Sequence, residues 1–456
     1  MGAFLEQIDR VAMALENARA GYGSRVGLLS ENGPGYAAVI GACLRIGAVV
    51  VPISTRYPAQ RVNQVVARTG CSLVLASRSL SGVAPRGPLT QMEEIMGSFE
   101  GDVRSATLDQ MGADLGNQAS IIMTSGSQGA PHGVLHRVSQ HYYSAAGADM
   151  NMPFGGGHRW LMLLPMYHVS GFSILMRAFL HGGGVVFPRA GQPLEEAVLW
   201  NDATHLSLVP VQLTRLMDRP DCVKRLRTME AILLGGSAAP VALVQRAVEV
   251  GLPIHTTYGS TEAASQAATT RKGDLTDQPG TSGRVLEHRK LRIAENGEIL
   301  IGGRTMLDGY IEDGLVRPAV DTDGWFHSGD AGVIDEAGLL YVRGRKDSMF
   351  ISGGENIHPE EIERVLETAP GVEQAVVVGV EAGEIGRRPV AFVKTRAGEE
   401  FDGDLLRHWV AERVERFKIP AAFFNWSEAV ESHAKPDRQA LTVWAHTLMA
   451  KTQDRM

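Results

Sequence analysis

Residues 25–54 read RVGLLSENGPGYAAVIGACLRIGAVVVPIS and contain a strand, a helix and a second strand in that order. RVGLLS and AVVVPIS are short apolar runs typical of buried strands, and the sequence between them, GYAAVIGACLRIG, is predicted to be a helix. Apolar strands joined through helices form parallel sheets that are covered on both faces. The stretch therefore predicts an α/β fold, in which ligands bind beyond the carboxyl ends of the strands.

The same alternation continues along the first half of the chain. Apolar residues at helical spacing from Leu5 to Leu15 predict an opening amphipathic helix. Further strands are predicted in RWLMLLP (159–165), HLSLVP (205–210) and MEAILLGG (229–236), and the last two are followed by the helices VQLTRLMDR and PVALVQRAVEVG. The regular repeat of strand and helix indicates that these segments belong to layered sheets of one large domain.

From about Lys290 the pattern changes to short strands punctuated by glycine, such as LRIAENGEILIGG, with Asn296-Gly297 as a hairpin turn. After Ile357 a small α+β unit is predicted, with the helices PEEIERVLETA and DLLRHWVAERV and the strands VEQAVVVGV and RPVAFVKT. The polar segment GRKDSMFISGGENIHP lies between these parts, and its glycines suit a hinge. We predict a large N-terminal domain of residues 1–346, with a β-rich subdomain, and a small, mobile C-terminal domain of residues 347–456.

Composition and charge exclude several classes of protein. A chain of 456 residues exceeds what one hydrophobic core supports. The net charge of −7 offers no attraction to nucleic acid or to an anionic membrane. The most apolar stretch, residues 37–53, is interrupted by Arg45 and Pro52, so membrane insertion is not expected. Three cysteines without a CxxC pair argue against disulfides and structural zinc and favour a cytoplasmic protein.

The first segment suited to chemistry is TSGSQGAPHGV, which begins at Thr124 directly after the apolar run ASIIM. A loop of Gly, Ser and Thr after a buried strand offers N–H groups and hydroxyls to an anion. Taken alone, an ordinary turn explains it as well as phosphate binding does. It is not a Walker A loop, because no Lys-Ser/Thr pair follows the second glycine at the required spacing, and the chain has no GxGxxG dinucleotide fingerprint.

Four further segments carry candidate binding groups. YGSTE (258–262) combines an aromatic ring, hydroxyls and a carboxylate suited to Mg²⁺. WFHSGD (325–330) and GRKD (344–347) supply a carboxylate and a guanidinium for a ribose and a phosphate, and ESHAKPDRQAL (431–441) supplies a lysine. Taken alone, an N-capped loop explains YGSTE equally well. A surface ion pair is the favoured explanation for WFHSGD and GRKD taken singly, and a lone exposed lysine is usually only solvated.

In their order and spacing these segments resemble the superfamily of adenylate-forming ligases, which includes acyl-CoA synthetases, luciferases and nonribosomal-peptide adenylation domains. The resemblance extends over nearly the whole chain. It includes TSGSQGAPHGV, LPMYHVSG, LLGGSAAP, YGSTE, WFHSGD, GRKDSMFISGGENIHPEEIE and KPDRQAL. It implies ATP, Mg²⁺ and coenzyme A as the small molecules that the chain uses together with a carboxylic acid, and it leaves a homodimer open.

The resemblance also implies roles for single residues. ATP would be bound by Thr124, Ser125, Gly126, Ser127, Gly129, His132, Gly235, Gly236, Ser237, Tyr258, Gly259, Thr261, Asp330 and Arg345. Among these, Thr124, Ser125, Ser127 and Thr261 would face the phosphates, residues 235–237 and Tyr258 would hold adenine, and Asp330 and Arg345 would bind the ribose. Catalysis would involve Lys435 between the carboxylate and the α-phosphate, His168 beside the acyl pocket, and Glu262 on Mg²⁺. The hinge would turn at Asp347 and bring Gly353, Gly354 and Lys418 towards coenzyme A.

Two features depart from the superfamily pattern. His132 stands where the signature loop usually has lysine, and an imidazole is only partly protonated near neutral pH, whereas a lysine is fully charged. A lost phosphate contact, or a pH-dependent affinity for ATP, is therefore expected. The N-terminal domain also begins late and lacks the opening strands of many relatives.

The substrate is predicted from a narrower resemblance. LPMYHVSGFSILMRAF, THLSLVPVQLTRLM and RRPVAF resemble ligases that act on 2-succinylbenzoate in menaquinone biosynthesis, and Arg177 matches an arginine that binds the non-reacting carboxylate in that family. A solvated helix arginine is the alternative for Arg177, and a benzoate-type aryl acid is the alternative substrate. A carrier-dependent adenylation domain and a non-catalytic nucleotide-binding relative are less favoured, because the chain ends soon after Lys435 and retains Glu262.

Overall fold

The protein is described by a computed structural model. It describes residues 2–83, 89–92, 94, 103, 106–124, 132–346, 348–352, 355–382, 387–426 and 438–453. The helices are α1 (Ala3–Asn17), α2 (Pro34–Ile46), α3 (Ala59–Thr69), α4 (Leu108–Met111), α5 (Val138–Asp149), α6 (Val169–His181), α7 (Leu194–Trp200), α8 (Pro210–Met217), α9 (Pro220–Leu226), α10 (Val241–Glu249), α11 (Asp274–Asp277), α12 (Pro359–Leu366), α13 (Gly403–Ala411) and α14 (Arg438–Gln453).

The strands of the described ranges form five sheets. The strands of the first half are β1 (Arg25–Leu29), β2 (Val49–Pro52), β3 (Leu73–Ala76), β4 (Leu89–Gln91), β5 (Gln118–Thr124), β6 (His132–Arg137), β7 (Arg159–Leu161), β8 (Gly184–Val186), β9 (His205–Leu208), β10 (Ala231–Leu234), β11 (Ile254–Ser260) and β12 (Ser265–Thr269). Those of the second half are β13 (Arg284–Val285), β14 (Arg289–Ile293), β15 (Glu298–Gly303), β16 (Gly309–Glu312), β17 (Leu315–Arg317), β18 (Phe326–Ile334), β19 (Leu340–Arg345), β20 (Phe350–Ser352), β21 (Glu355–Ile357), β22 (Val372–Glu381), β23 (Arg387–Thr395) and β24 (Ala422–Asn425).

The first sheet has the strand order β17-β16-β6-β5-β2-β1-β3-β4. The strands from β5 through β2, β1 and β3 to β4 are parallel, as the opening stretch predicts. The other edge differs from that prediction, because β5 and β6 pair antiparallel and the distant hairpin β16–β17 adds to β6. A hairpin that the sequence pattern assigned to the β-rich subdomain therefore completes the first sheet.

The second sheet has the order β13-β12-β11-β10-β9-β7-β8. Its strands are parallel from β8 to β11, and β12 and β13 add antiparallel at the other edge. All four residues of β9 and of β10 are buried, so their neighbouring helices cover both faces. This burial explains why the strands are apolar throughout rather than alternating.

The hydrophobic core follows the helix patterns of the sequence. Helix α1 buries Leu5, Ile8, Val11 and Leu15 against a cluster that also contains most of α2. Helices α8, α9 and α10 bury their apolar faces in a second cluster with β9 and β10. The first cluster also contains residues of both large sheets, including Val50 of β2 and Leu233 of β10, so the two sheets share one core, whereas the second cluster belongs to the second sheet and its helices.

The β-rich part forms an antiparallel sheet in the order β14-β15-β18-β19. Its first hairpin turns at Asn296-Gly297, as predicted, and Gly297 has a φ of +78°, a backbone conformation that glycine adopts without strain. The chain then leaves β19 at Arg345 and passes Asp347, which lies outside the described residues. The proposed boundary at residues 346 and 347 stays a prediction.

The C-terminal unit packs α12 and α13 on the sheet β22-β23-β24. The helices and strands predicted after Ile357 are all present, and β24 and α14 complete the unit. Contacts across the boundary join the two parts, because Arg364 of α12 donates to the carbonyl oxygen of Arg343 at 2.6 Å. Within the described part of the chain, no helix is both long and apolar enough to cross a bilayer.

Candidate functional site

The predicted phosphate loop is held at both of its ends by one strand pair. Thr124 ends β5 and His132 begins β6, and the two residues are paired across the antiparallel ladder. The Thr124 hydroxyl donates to the carbonyl oxygen of His132 at 3.4 Å. The loop between them contains Ser125, Gly126, Ser127 and Gly129, which lie outside the described residues.

His132 lies among groups from β16. Its ring centroid is 5.3 Å from that of Tyr310, and its Nδ1 is 3.8 Å from Glu312 Oε1. The side chain is about one-third exposed, so it can reach a ligand. The substitution of the usual lysine by His132 thus places an imidazole beside an acidic residue at the entrance of the loop.

Glu262 is held from the first sheet although it follows β11 of the second sheet. Tyr310 of β16 donates its hydroxyl to Glu262 Oε1 at 2.9 Å. Burial raises the pKa of the Tyr310 hydroxyl, and the negative charge of Glu262 raises it further, so the phenol stays a donor. Thr261 stands directly before Glu262, and the pair therefore lies where the two large sheets meet.

Tyr258 joins the second sheet to the β-rich sheet. Its hydroxyl donates to Asp330 Oδ2 at 2.7 Å, and Arg345 Nη1 lies 3.5 Å from Asp330 Oδ1. Arg345 also donates to the carbonyl oxygen of Ser328 at 2.9 Å. Burial raises the pKa of Tyr258 well above its usual value, with a further contribution from Asp330. The structure thus brings together three residues predicted to contact adenosine.

The predicted adenine segment follows the neighbouring strand. Gly235 and Gly236 come directly after β10, whose Leu234 is paired with Thr256 of β11. A Cβ on Gly235 would lie 2.6 Å from Cγ2 of Thr257, so this close approach requires glycine. Ser237 is exposed. Residues 235–237 and Tyr258 therefore occupy adjacent carboxyl ends, as parallel topology predicts.

The turn between β11 and β12 is strained. Ala264 and Ser265 have φ values of +54° and +117°, which non-glycine residues rarely adopt. Opposite them, a Cβ on Gly259 would lie only 1.9 Å from the carbonyl oxygen of Ser265. Such backbone strain costs on the order of 1–3 kcal/mol per residue and persists where the surrounding structure enforces it. Because Gly259 has no side chain, it leaves room for the turn that carries Glu262.

His168 is the residue directly before α6, and its side chain is exposed. Partial desolvation by neighbouring atoms lowers the pKa of His168, and the positive charge of Arg56 lowers it further, so the imidazole is neutral near pH 7. The loop before it is clamped by Asn32, which donates to the carbonyl oxygen of Leu164 at 2.8 Å and accepts from the Met166 N–H at 2.9 Å. Two hydrogen bonds from one amide thus fix the segment that carries His168.

Arg177 lies on α6 and is only 3% exposed, so the solvated-arginine alternative is wrong. Its Nη2 donates to Gln266 Oε1, and its Cζ lies 4.9 Å from the ring centroid of Trp160. Nε and Nη1 have no hydrogen-bond partner among the described residues. Burial lowers the pKa of Arg177 to about 10, which still leaves the guanidinium charged, and the charge of Asp149 opposes this shift. A buried cation with two open donors is suited to an anionic ligand.

Of the residues predicted to bind coenzyme A, only Lys418 is described. Its Nζ lies 2.9 Å from Glu361 and 2.9 Å from Glu415, and these two carboxylates raise its pKa although burial acts in the opposite direction. Gly353 and Gly354 lie outside the described residues. Lys435, predicted to be catalytic, lies outside them as well, so its role stays a prediction.

The residues at the site fit Mg²⁺ by their chemistry. Glu262 offers a carboxylate that Tyr310 orients, and Thr124 and Thr261 add hydroxyl oxygens, which are hard ligands. The part of the chain that the structure describes contains no cluster of three or more His, Cys, Asp or Glu residues that could hold a metal.

Sequence reasoning missed the residues that support these groups. Tyr310 is 48 positions from Glu262, and Gln266 is 89 positions from Arg177. Neither belongs to a segment that the motifs single out. Only the pairing of β16 with β6 and the strained turn before β12 bring them into contact.

Comparisons with known proteins agree with this arrangement. The family model described as AMP-binding enzyme matches residues 2–311, and that described as AMP-binding enzyme C-terminal domain matches residues 361–432. The 2-succinylbenzoate–CoA ligase of Salmonella typhimurium is 35% identical over 446 residues, which cover 97% of this chain and 92% of that protein.

Two solved structures of the o-succinylbenzoate CoA synthetase of Bacillus subtilis are also similar. The complex with the acyl-adenylate intermediate OSB-AMP has a TM-score of 0.82 and 26% identity, covering 96% of this chain and 92% of that one. The complex with ATP and magnesium ion has a TM-score of 0.79 and 27% identity, covering 92% and 90%. These neighbours confirm the predicted fold, a large N-terminal α/β part followed by a smaller C-terminal one. The chain belongs to the family of AMP-binding enzymes.

Proposed function

We propose that this enzyme is an ATP-dependent ligase that joins 2-succinylbenzoate to coenzyme A. The carboxylate attacks the α-phosphorus of ATP to give the acyl-adenylate and pyrophosphate, and the thiol of coenzyme A then displaces AMP to give the thioester. The relatives named above act on this acid or hold its adenylate. The observation that carries the substrate assignment is Arg177, a buried guanidinium whose Nε and Nη1 have no hydrogen-bond partner among the residues that the structure describes.

The nucleotide would bind across the three sheets. Tyr258 and residues 235–237 would enclose adenine, and Asp330, which accepts from Tyr258, would accept from the ribose hydroxyls with Arg345 beside it. The loop beginning at Thr124 would present N–H groups and hydroxyls to the phosphates. The distances among Tyr258, Asp330 and Arg345 support this mode because no large movement of those side chains is needed.

The first half-reaction brings two anions together, and the protein must offset their repulsion. Lys435 would bridge the reacting carboxylate and the α-phosphate, where a fixed cation stabilises the charge that grows in the transition state. Glu262 would hold Mg²⁺, which supplies charge neutralisation on the phosphates. The neutral imidazole of His168 would separate acid from nucleotide without adding a competing cation.

The acid would lie along α6, with its reacting carboxylate near His168 and its second carboxylate at Arg177. Nine residues of helix separate them, a rise of about 13 Å. The two carboxylates of 2-succinylbenzoate are closer together than this, so the long side chain of Arg177, which leans towards the start of its helix, would cover the remaining distance. For the second half-reaction, rotation about Asp347 would bring Gly353, Gly354 and Lys418 towards coenzyme A.

The cellular setting is part of the proposal. Cys43, Cys71 and Cys222 are all free thiols, two of them buried, which suits a reducing cytoplasm. We also predict a homodimer, and sedimentation at micromolar concentration tests this prediction.

A pyrophosphate-release assay tests the function. The enzyme is given ATP, Mg²⁺ and one acid at a time (2-succinylbenzoate, benzoate or 4-chlorobenzoate), with and without coenzyme A. We expect release with 2-succinylbenzoate, and multiple turnovers with thioester formation only when coenzyme A is present. Faster pyrophosphate release with benzoate or 4-chlorobenzoate would show that the substrate is a benzoate-type aryl acid and not 2-succinylbenzoate. Pyrophosphate release without any thioester would indicate a carrier-dependent adenylation domain. If no acid caused pyrophosphate release, the protein would be a non-catalytic relative.

A further inference from the structure

We propose that Gln266 is a positioning residue that sets the acid specificity of this enzyme. It holds Arg177 from one side through a neutral amide, so that the remaining guanidinium donors serve the second carboxylate of the substrate. This inference rests on the proposed function, because it concerns how the same site selects a dicarboxylate.

A chain of hydrogen bonds fixes which way the Gln266 amide points. The Thr257 hydroxyl donates to the carbonyl oxygen of Ala268 at 2.8 Å, so it accepts from the Thr269 hydroxyl, also at 2.8 Å. The Thr269 oxygen in turn accepts from Gln266 Nε2 at 2.9 Å. With the amide nitrogen committed to Thr269, the amide oxygen faces Arg177 and accepts from its Nη2. The orientation of the guanidinium is therefore dictated by β11 and β12.

The backbone around Gln266 restrains it further. Gln266 is 2% exposed, and its carbonyl oxygen accepts from Nε of Arg289 at 2.8 Å. The strained residue before it, Ser265, donates to Ser173 of α6 at 3.2 Å. Because Ser173 and Arg177 are one helical turn apart, the same turn of β12 touches α6 at both positions. Gln266 thus has little freedom to follow a guanidinium that moves.

The charges nearby explain why an amide is needed here. Arg289 is a second buried guanidinium, but it is satisfied by the carbonyl oxygens of Gln266, Tyr143, Glu287 and Ser144 and by the Ser144 hydroxyl. Its pKa is lowered to about 9 by burial and by the charge of Arg177. Two buried cations therefore repel each other, and an anion beside Arg177 relieves this repulsion. A carboxylate at position 266 would itself neutralise the charge of Arg177. The amide of Gln266 orients the guanidinium without neutralising it, so its positive charge remains available to the carboxylate of the ligand.

The experiment compares two acids that differ by one carboxylate. The first is 2-succinylbenzoate, and the second is 4-oxo-4-phenylbutanoate, which has the same keto-acid chain without the ring carboxylate. Pyrophosphate release with each acid is measured for the wild type and for Gln266→Glu, Gln266→Leu and Gln110→Glu. Gln110 is exposed at the start of α4, where its side chain accepts from the Thr107 N–H, so a glutamate there adds equal charge without disturbing the helix.

We expect the wild type and Gln110→Glu to prefer the dicarboxylate by about ten- to hundredfold in kcat/KM, as for a hydrogen-bonded charged group. In Gln266→Glu the preference should fall to near one, through a higher KM for 2-succinylbenzoate, with KM for ATP unchanged. Gln266→Leu should lower the preference several-fold, because the Arg177 guanidinium loses the contact that orients it but keeps its positive charge.

The outcomes separate the inference from the function on which it rests. A wild type that uses both acids equally would overturn the substrate assignment. A wild-type preference that survives in Gln266→Glu would overturn the role of Gln266 alone, as would equal losses on both acids in folded Gln266→Glu and Gln266→Leu. If Gln266→Glu does not fold, as judged by its melting temperature, the preference measured in Gln266→Leu decides the question.

Discussion

Single residues connect the sheets at the proposed nucleotide site, and Tyr310 is the clearest example. It belongs to β16 of the first sheet, and its hydroxyl donates to Glu262, which follows β11 of the second. A hydrogen bond to a charged group contributes about 1.5–3 kcal/mol. The position of the carboxylate proposed for Mg²⁺ thus depends on a residue far away in sequence.

We predict that Tyr310→Phe raises KM for MgATP about tenfold, because Glu262 loses the donor that orients it. The size of the side chain is kept, so the fold should be preserved. Initial rates at varied ATP and fixed Mg²⁺ measure the effect. An unchanged KM for MgATP, with a fully active enzyme, would contradict the role assigned to Tyr310.

Lys435 is the residue on which the chemistry of the first half-reaction is predicted to depend. We expect Lys435→Ala to slow adenylate formation about 10²–10³-fold, as when one fixed donor to a transition state is removed. Pyrophosphate–ATP exchange measures this step. Lys394→Ala, which removes a lysine paired with Glu373 at 3.2 Å on β23, serves as the control and should keep its activity. Exchange at the wild-type rate in Lys435→Ala would rule out the assignment.

At the scale of one element, Glu363 of α12 and Glu367, the residue directly after it, have pKa values raised to about 7. Burial is the main cause for both, and for Glu367 the charge of Glu363 adds to it. The unfolded carboxyl ionises near 4.5, so between pH 4.5 and 7 the unfolded state has lost a proton that the native state retains. Stability contributed by these groups is therefore present at low pH and falls as pH rises through this window.

We predict that Glu367→Gln raises the melting temperature by a few degrees at pH 8 and changes it little at pH 5. The amide avoids the buried charge, which is worth about 1.4 kcal/mol for each pKa unit. Thermal unfolding followed at both pH values gives the measurement. Glu373→Gln, an exposed position on β22, should show no such difference between the two pH values. A larger gain at pH 5 than at pH 8 would show the sign to be wrong.

At the scale of the whole molecule, the C-terminal unit follows the β-rich sheet through a short connection. Ser348 donates to the carbonyl oxygen of Arg345 and to Glu360, each at 2.8 Å, and Lys346 contacts Glu298 at 3.0 Å. Lys346 is thus attached to the β-rich sheet and Ser348 to α12, but the bond from Ser348 to Arg345 crosses the predicted pivot. A rotation about Asp347 would have to break this bond and the one between Arg364 and Arg343.

We predict that Asp347→Pro preserves adenylate formation and slows thioester formation, because proline restricts φ to about −65° and prevents rotation at the pivot. The two half-reactions are measured separately, the first by pyrophosphate release in a single turnover and the second by adding coenzyme A to preformed acyl-adenylate. A proline at another loop position, Asp313, would be a poor control, because the φ of Asp313 is +49° and proline cannot adopt it. The control is therefore Asp347→Ala, which should support both steps. Equal losses in both half-reactions of Asp347→Pro would refute a pivot at this position.

The amino-acid sequence by itself determined the local elements and the residues that bear the chemistry. The buried strands around Val50 and Leu233, the amphipathic helix α1 and the hairpin at Gly297 follow from local periodicity and turn propensity, which do not depend on distant residues. Resemblance carried by the ordered motifs then located Tyr258, Asp330 and Arg345, which the structure brings together.

The tertiary structure alone decided how these parts support one another. The addition of β16 to β6 depends on pairing between segments about 175 residues apart, and no local pattern encodes such a pairing. The same is true of Gln266, whose hydrogen bonds to Thr269 and Arg177 arise because a strained turn brings β12 beside α6. Local sequence specifies strands, helices and reactive groups, whereas the packing of distant elements in three dimensions fixes the orientation of each group.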